Sequence, residues 1–192
     1  MGPEISQFLA GMRKTMEQVV LPNLSDRFAQ EQAGIVAATL AFLEQVHDKV
    51  FHYELFEHHC YRCLLGQTLA LLSVAEVTDP EVVETLAAIQ RRLADDPPGG
   101  DIHLYRYDCL RASNESMKEL LCALIRLQPA LPDTLRKSLE EDLLQPFFRD
   151  LERRERSWVK PLGFDAQADQ LPDIAELLYR DDRLQLPGDR RP

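Results

Sequence analysis

The chain predicts an all-α fold, a helical bundle of five to seven helices with a long central second helix. Three observations carry the prediction. Apolar residues recur at spacings of three and four from Pro3 to Lys160, with no sustained period-two alternation of β-branched residues. Prolines and capping residues punctuate these runs at helix-length intervals. The 192 residues are 45% hydrophobic and 28% charged, enough for one domain with a sizeable core.

The first helix starts near Pro3, where a missing N–H does no harm, and ends by Leu21, because Pro22 disfavours helical geometry in the residue before it. Ser25 or Asp26 then caps a second helix that runs through the histidine-rich segment to Cys63 or beyond, with Gly66 as its weak point. Thr78 and Glu81 have capping-box spacing around Pro80, so a third helix spans about Asp79 to Ala94. The DDPPGG stretch from Asp95 reads as a loop, and Asp101 caps a fourth helix to about Leu127. A fifth begins at Asp133, and Pro146 inside it predicts a kink or two helices meeting at an angle. Residues 1–160 read as a single helical-bundle domain. Residues 161–192 read as an extension with one amphipathic segment, Pro172 to Leu184, and a disordered GDRRP tail.

On a helical wheel, one face of the second helix collects Phe28, Ile35, Phe42, Leu43, Val46, Val50, Tyr53, Cys60 and Leu64, the expected core side. Gly34, Ala37, Ala38 and Ala41 lie roughly opposite. Small residues there allow a second backbone to approach, so the helix is central or packs against a copy of itself, and a homodimer is expected. High helix propensity explains the alanines equally well.

Four of the five histidines, His47, His52, His58 and His59, fall within thirteen residues that also hold Asp48, Glu54 and Glu57, with Glu44, Cys60 and Cys63 flanking them. On the wheel His47, Glu54 and His58 fall within about 40° of one another, and His52, His59 and Cys63 form a second stripe. Either set offers imidazole with carboxylate or thiolate donors for zinc or another divalent metal, with a further ligand needed from elsewhere. Glu44 and His47 make a single Glu-x-x-His pair, and Cys60 and Cys63 a single CxxC; neither has the partner motif that a di-metal or zinc-knuckle site requires. The commoner role for such histidines is on a solvated helix near an interface.

Glu57 points at the centre of the core stripe between Tyr53 and Cys60. An unpaired charge there costs several kcal/mol. In a straight helix Glu57 is buried beside Tyr53 and takes a proton or pairs with a cation of the fourth helix, Arg106 or Arg111. A bend near Phe51 turns it outward instead. Thr39, Ser113, Asn114 and Ser116 also interrupt apolar faces, and bonds to helix carbonyls or to one another account for them without a function.

The formal charge of -10 argues against a nucleic-acid groove, and the basic run Arg149 to Arg156 alternates with acids and reads as a solvated face. Met1 to Arg13 has no apolar leader core, and the apolar run Leu64 to Ala75 is too short to span a bilayer. Four cysteines in a chain of this size read as reduced thiols, and the expected location is cytoplasmic. No GxGxxG, GxxxxGK[ST], GxSxG or HExxH is present.

The order of Val20-Leu21-Pro22-Asn23-Leu24, then Glu57-His58 and Leu64-Leu65-Gly66, then Ile89 to Leu93, resembles a bacterial all-helical family of unknown function. Members of that family are encoded beside phosphotransferase-like proteins and acyl-CoA dehydrogenases. The resemblance covers the first half of the chain and implies no catalytic residue. The segment from Phe147-Phe148 to Trp158 is similar to the late helix of chaperones that mature molybdoenzymes, without that family's proline- and tyrosine-bearing central motif. The leading expectation is a non-catalytic interaction or accessory protein acting as a homodimer or on another protein. One alternative is a metal-binding protein or metal-dependent enzyme using the His47 to Cys63 segment. Another is a binder of apolar small ligands between helices.

Overall fold

The computed structural model describes residues 4–73, 78–95 and 105–186. The loop after Asp95, the Asp101 cap, Pro3 and the GDRRP tail lie outside these. The fold is all-α, with seven helices of six residues or more among the described residues. Helix α1 is Ile5–Thr15, followed by a π-helical stretch Met16–Val20 and the short α2, Leu21–Asn23. Then come α3, Arg27–Val46, and α4, Val50–Ser73. The chain continues as α5, Pro80–Asp95, and α6, Tyr107–Leu127. Next are α7, Asp133–Ser138, a second π stretch Leu139–Leu144, and α8, Gln145–Val159. A five-residue α9, Ile174–Leu178, leads into the antiparallel pair β1, Tyr179–Arg180, and β2, Arg183–Leu184.

Both internal prolines are passed without a break in the helix, contrary to the expectation of a stop at Leu21. The reason is the same at each. A proline ring clashes with the carbonyl four residues back and donates nothing to it. Just before each proline the helix widens to i→i+5 bonding, with Leu21 N–H donating to Met16 O and Gln145 N–H to Glu140 O. Past Pro22, the Asn23 side-chain amide donates to Val19 O at 2.7 Å, satisfying a carbonyl near the helix end.

Other boundaries move for local reasons. Asp26 caps α3, accepting from Ala29 N–H at 2.7 Å. The expected long second helix is present in two lengths, α3 and α4, separated by a turn at His47–Lys49; Gly66 lies inside unbroken helix. Asp79, one residue after the expected Thr78, caps α5 by accepting from Glu81 and Val82 N–H. Of the amphipathic segment Pro172 to Leu184, helix occupies only Ile174–Leu178. Asp181 and Asp182 take positive φ, +49° and +61°, and turn the chain into the hairpin.

The chain forms two compact units, divided elsewhere than at residue 160. The first comprises residues 1–50 and 153–177. In it α1 and α3 pack antiparallel, with Arg13 Nε donating to Glu44 Oε2 at 2.8 Å, and Leu9, Ala33 and Ala37 are buried. The face prediction for α3 holds only near its C-terminal end, where Val46 is buried. Phe28 and Ile35 of the expected core stripe are 68% and 58% exposed, and Leu43 is exposed as well. The alanine side is covered by α1 of the same chain, because small residues permit the close approach. Phe42 alone of that stripe finds an aromatic partner here, edge-on to Trp158 at 6.3 Å. The basic run also departs from a purely solvated face, since Arg154 is buried and Arg156 pairs with Asp165 at 2.7 Å.

The second unit, residues 51–152 and 178–192, holds the main core. Tyr61, Leu64, Leu65 and Leu72 of α4 meet Val82 and Ile89 of α5 and Met117, Leu121 and Leu124 of α6, with Leu131, Leu139 and Leu144 completing the cluster. Phe147 lies 5.3 Å from the Tyr61 ring. Helix α6 owes its inward face to apolar positions seven apart, Leu110, Met117 and Leu124, joined by Leu121.

Candidate functional site

Within the second unit, α4 and α6 run parallel, since Glu54 meets Tyr107 and Asn114 while Glu57 meets Lys118 further along both helices. At their interface polar residues replace apolar ones. Asn114 is fully buried and uses its whole amide. Its nitrogen donates to Glu54 O at 2.9 Å and Glu54 Oε2 at 2.7 Å, and its Oδ1 lies 3.0 Å from His58 Nδ1. With the amide hydrogens committed to Glu54, Oδ1 can only accept. The proton of a neutral His58 ring therefore sits on Nδ1, and Nε2 carries the lone pair. Ser113 Oγ lies 3.5 Å from the same Nδ1 and accepts from Arg92 of α5. Arg62 of α4 donates to Leu93 O at 3.1 Å, tying α5 to α4.

Glu57 is buried although the expected second helix is interrupted at His47–Lys49, because α4 is unbroken from Val50 to Ser73. A cation beside it is Lys118, with Nζ 3.4 Å from Glu57 Oε2, and the expected Arg106 and Arg111 lie elsewhere. Arg106 precedes the first turn of α6 and pairs with Asp108; Arg111 lies nearly two turns before Lys118 and is exposed. Lys118 also approaches Glu115 at 3.2 Å and lies 5.7 Å from the centre of the Tyr61 ring. Burial alone lowers the affinity of the Lys118 ammonium for its proton, but the Glu57 charge and the bonds to Glu115 and Glu57 outweigh it and hold the group above the ordinary lysine value. Burial, then the Glu54 charge, pushes the Tyr107 phenol up. Tyr53 is half-buried one turn before Glu57.

The metal-ligand sets are distributed differently. His47 sits in the turn that separates α3 from α4, its Nδ1 3.1 Å from Leu43 O, so the turn interrupts the wheel that aligned it with Glu54 and His58. His52 Nδ1 lies 2.8 Å from Tyr179 OH, with the rings edge-on at 5.5 Å. His59 and Cys63 are half-buried, and burial pushes the Cys63 thiol up. Among the described residues no three His, Cys, Asp or Glu side chains gather as a metal-binding group. A cavity of about 230 Å³ in the first unit is walled by Gln45, Ser157, Lys160, Asp169 and Asp173 together with Val46 and Ile174, a mixed lining.

The second candidate is a surface. Along α1 and the π stretch that continues it, Ile5, Phe8, Met12 and Val19 are 50–64% exposed, and along α3, Phe28, Ile35, Val36 and Leu43 are 37–68% exposed. Measured from the direction in which each helix faces the other, Leu9 and Ala33, the α1 stripe lies about 40–100° round and the α3 stripe about 60–160° round in the same rotational sense. In antiparallel helices equal senses fall on the same side of the pair, so the eight side chains share one face. Thr15 and Thr39 lie on it, and their hydroxyls donate to Gly11 O at 2.9 Å and Ile35 O at 2.8 Å. The sequence had flagged the α3 stripe but assigned it to the core.

No protein-family model, no curated protein and no solved structure matches the chain. No described helix is long and apolar enough to cross a membrane.

Proposed function

We propose that this protein is a non-catalytic interaction or accessory protein that works by burying the shared face of α1 and α3 against protein. The observation that supports this is the face itself: eight large apolar side chains open to water on one side of one hairpin. A contiguous apolar patch of this extent is uncommon on a protein that works alone, and its usual meaning is a contact surface. A lipid surface is a poorer match, since membrane-lying helices carry a basic polar face and this chain has a net charge of -10. The buried polar cluster of the second unit fits a structural clasp. The bonds His58–Asn114, Arg92–Ser113 and Asn114–Glu54 run from helix to helix, which fixes register between α4, α5 and α6.

A photo-crosslinking residue placed at Ile35 in the producing cell tests the reading, with Lys137, exposed on α7, as the control. Protein adducts at position 35 and not at 137 are expected. Lipid adducts, no adducts, or equal yields at both positions would overturn it. Elemental analysis of untagged protein tests the rival metal reading; stoichiometric metal surviving dialysis would favour that rival.

A further inference from the structure

We infer that the occupant of the α1/α3 face is the same face of a second copy, so that two hairpins close into a four-helix dimer about a two-fold axis. This rests on the face being a protein contact at all, and commits it to one partner.

Three features of the face argue for self-association. The first is area. At roughly 100 Å² for each of the eight exposed side chains, the face offers on the order of 800 Å² per protomer, the share of one partner in a stable interface. The second is the low cost in polar groups, with the Gln32 amide as the one side chain that must find a partner across the axis. Ile5, Phe8, Met12, Thr15 and Val19 on α1, and Phe28, Gln32, Ile35, Val36, Thr39 and Leu43 on α3, include no charge. Both threonine hydroxyls are already bonded to their own helices, so they present methyl groups and can go dry without losing a partner. A surface that discriminates a foreign partner ordinarily carries charges to do so. This one has none, which suits a partner that is identical and always at equal concentration.

The third feature is repulsion. The chain carries -10, but residues 1–50 hold six acids, Glu4, Glu17, Asp26, Glu31, Glu44 and Asp48, against four bases, Arg13, Lys14, Arg27 and Lys49, a net of -2. Most of the charge that keeps copies apart lies elsewhere. The seven-residue steps Ile5 to Met12 and Phe28 to Ile35 give both helices the spacing of bundle packing, so a two-fold axis sets apolar rows against apolar rows.

Sedimentation equilibrium of the full chain is expected to give twice the 22.0 kDa chain mass. Phe8→Glu with Ile35→Glu is expected to raise the dissociation constant by about a hundredfold or more with unchanged helical circular dichroism, since both residues are exposed in the single chain. As a readout independent of the variants, a photo-crosslinker at Ile35 in a mixture of isotopically light and heavy protein should give light–heavy peptide pairs that map within residues 5–43. A monomer at all concentrations, or a dimer unmoved by the double substitution, would overturn the inference. If the purified chain is monomeric while position 35 crosslinks a different protein in the cell, the self-pairing falls and the contact-surface reading stands. If neither self nor other protein is captured, both fall.

Discussion

Replacing Lys118 with Met takes away an ammonium 3.4 Å from a carboxylate whose side chain is 5% exposed. Replacing Glu57 takes the carboxylate from an ammonium that is 35% exposed and keeps Glu115 at 3.2 Å. The two halves of one ion pair should therefore differ in cost. Taking an ammonium from a carboxylate held out of water costs more, up to about 3 to 5 kcal/mol, than taking a carboxylate from a charge that retains water and Glu115, which loses about 1 kcal/mol of pairing. We expect Lys118→Met to destabilise the fold by about 3 kcal/mol or more near neutral pH and Glu57→Gln by about 1 to 2 kcal/mol, because glutamine keeps the volume. The pH dependence fixes the cause. In Lys118→Met the deficit should shrink as the pH falls and Glu57 takes up a proton, removing the buried charge. In wild type, Lys118 is held above the ordinary lysine value of about 10.4, so its contribution is fully present below that pH and is lost as the pH rises through the higher folded value. Urea melts of both variants and the double variant at pH 5, 7 and 9 measure the asymmetry and the coupling. Equal costs for the two substitutions, or a Lys118→Met deficit that does not change with pH, would refute the reasoning.

Three further outcomes follow from the structure. Asn114→Ala deletes a fully buried amide bonded to His58 and twice to Glu54, and should cost about 3 kcal/mol or more by denaturant melt. Gly66→Ala should stabilise by about 0.5 to 1 kcal/mol, since the position is mid-helix and an added Cβ meets nothing within 4 Å. With a thiol-specific disulfide reagent at pH 8, Cys109 and Cys122 are exposed and should react quickly, Cys63 is half-buried with its thiol pushed up and should react slowly, and Cys60 is buried and should react only on unfolding; four fast thiols would contradict the burial.

The sequence by itself determined the helices, because spacing, caps and prolines act within a turn or two of where they stand. Asp26 at the start of α3 and Pro80 in the first turn of α5 are such signals. It left Glu57 open between a buried and an outward position, and the unbroken run of α4 decided for the buried one. It missed the turn at His47–Lys49, where no proline or glycine marks the end of α3, and so it aligned His47 with side chains on a different helix. The π stretches before Pro22 and Pro146 were equally hidden, because how a helix absorbs a proline depends on the packing that holds its flanks together. Only the tertiary structure chose the face of α3. A wheel shows that one side is large and apolar and the other small, but both can be buried. The alanine side admits α1 at close range, and that contact leaves Phe28, Ile35 and Leu43 facing outward. It likewise chose Lys118 over Arg106 and Arg111 as the partner of Glu57. That choice depends on where along parallel α4 and α6 the two residues draw level, a distance set by the loop between them and the core that aligns them, not by any residue near Glu57 in the chain.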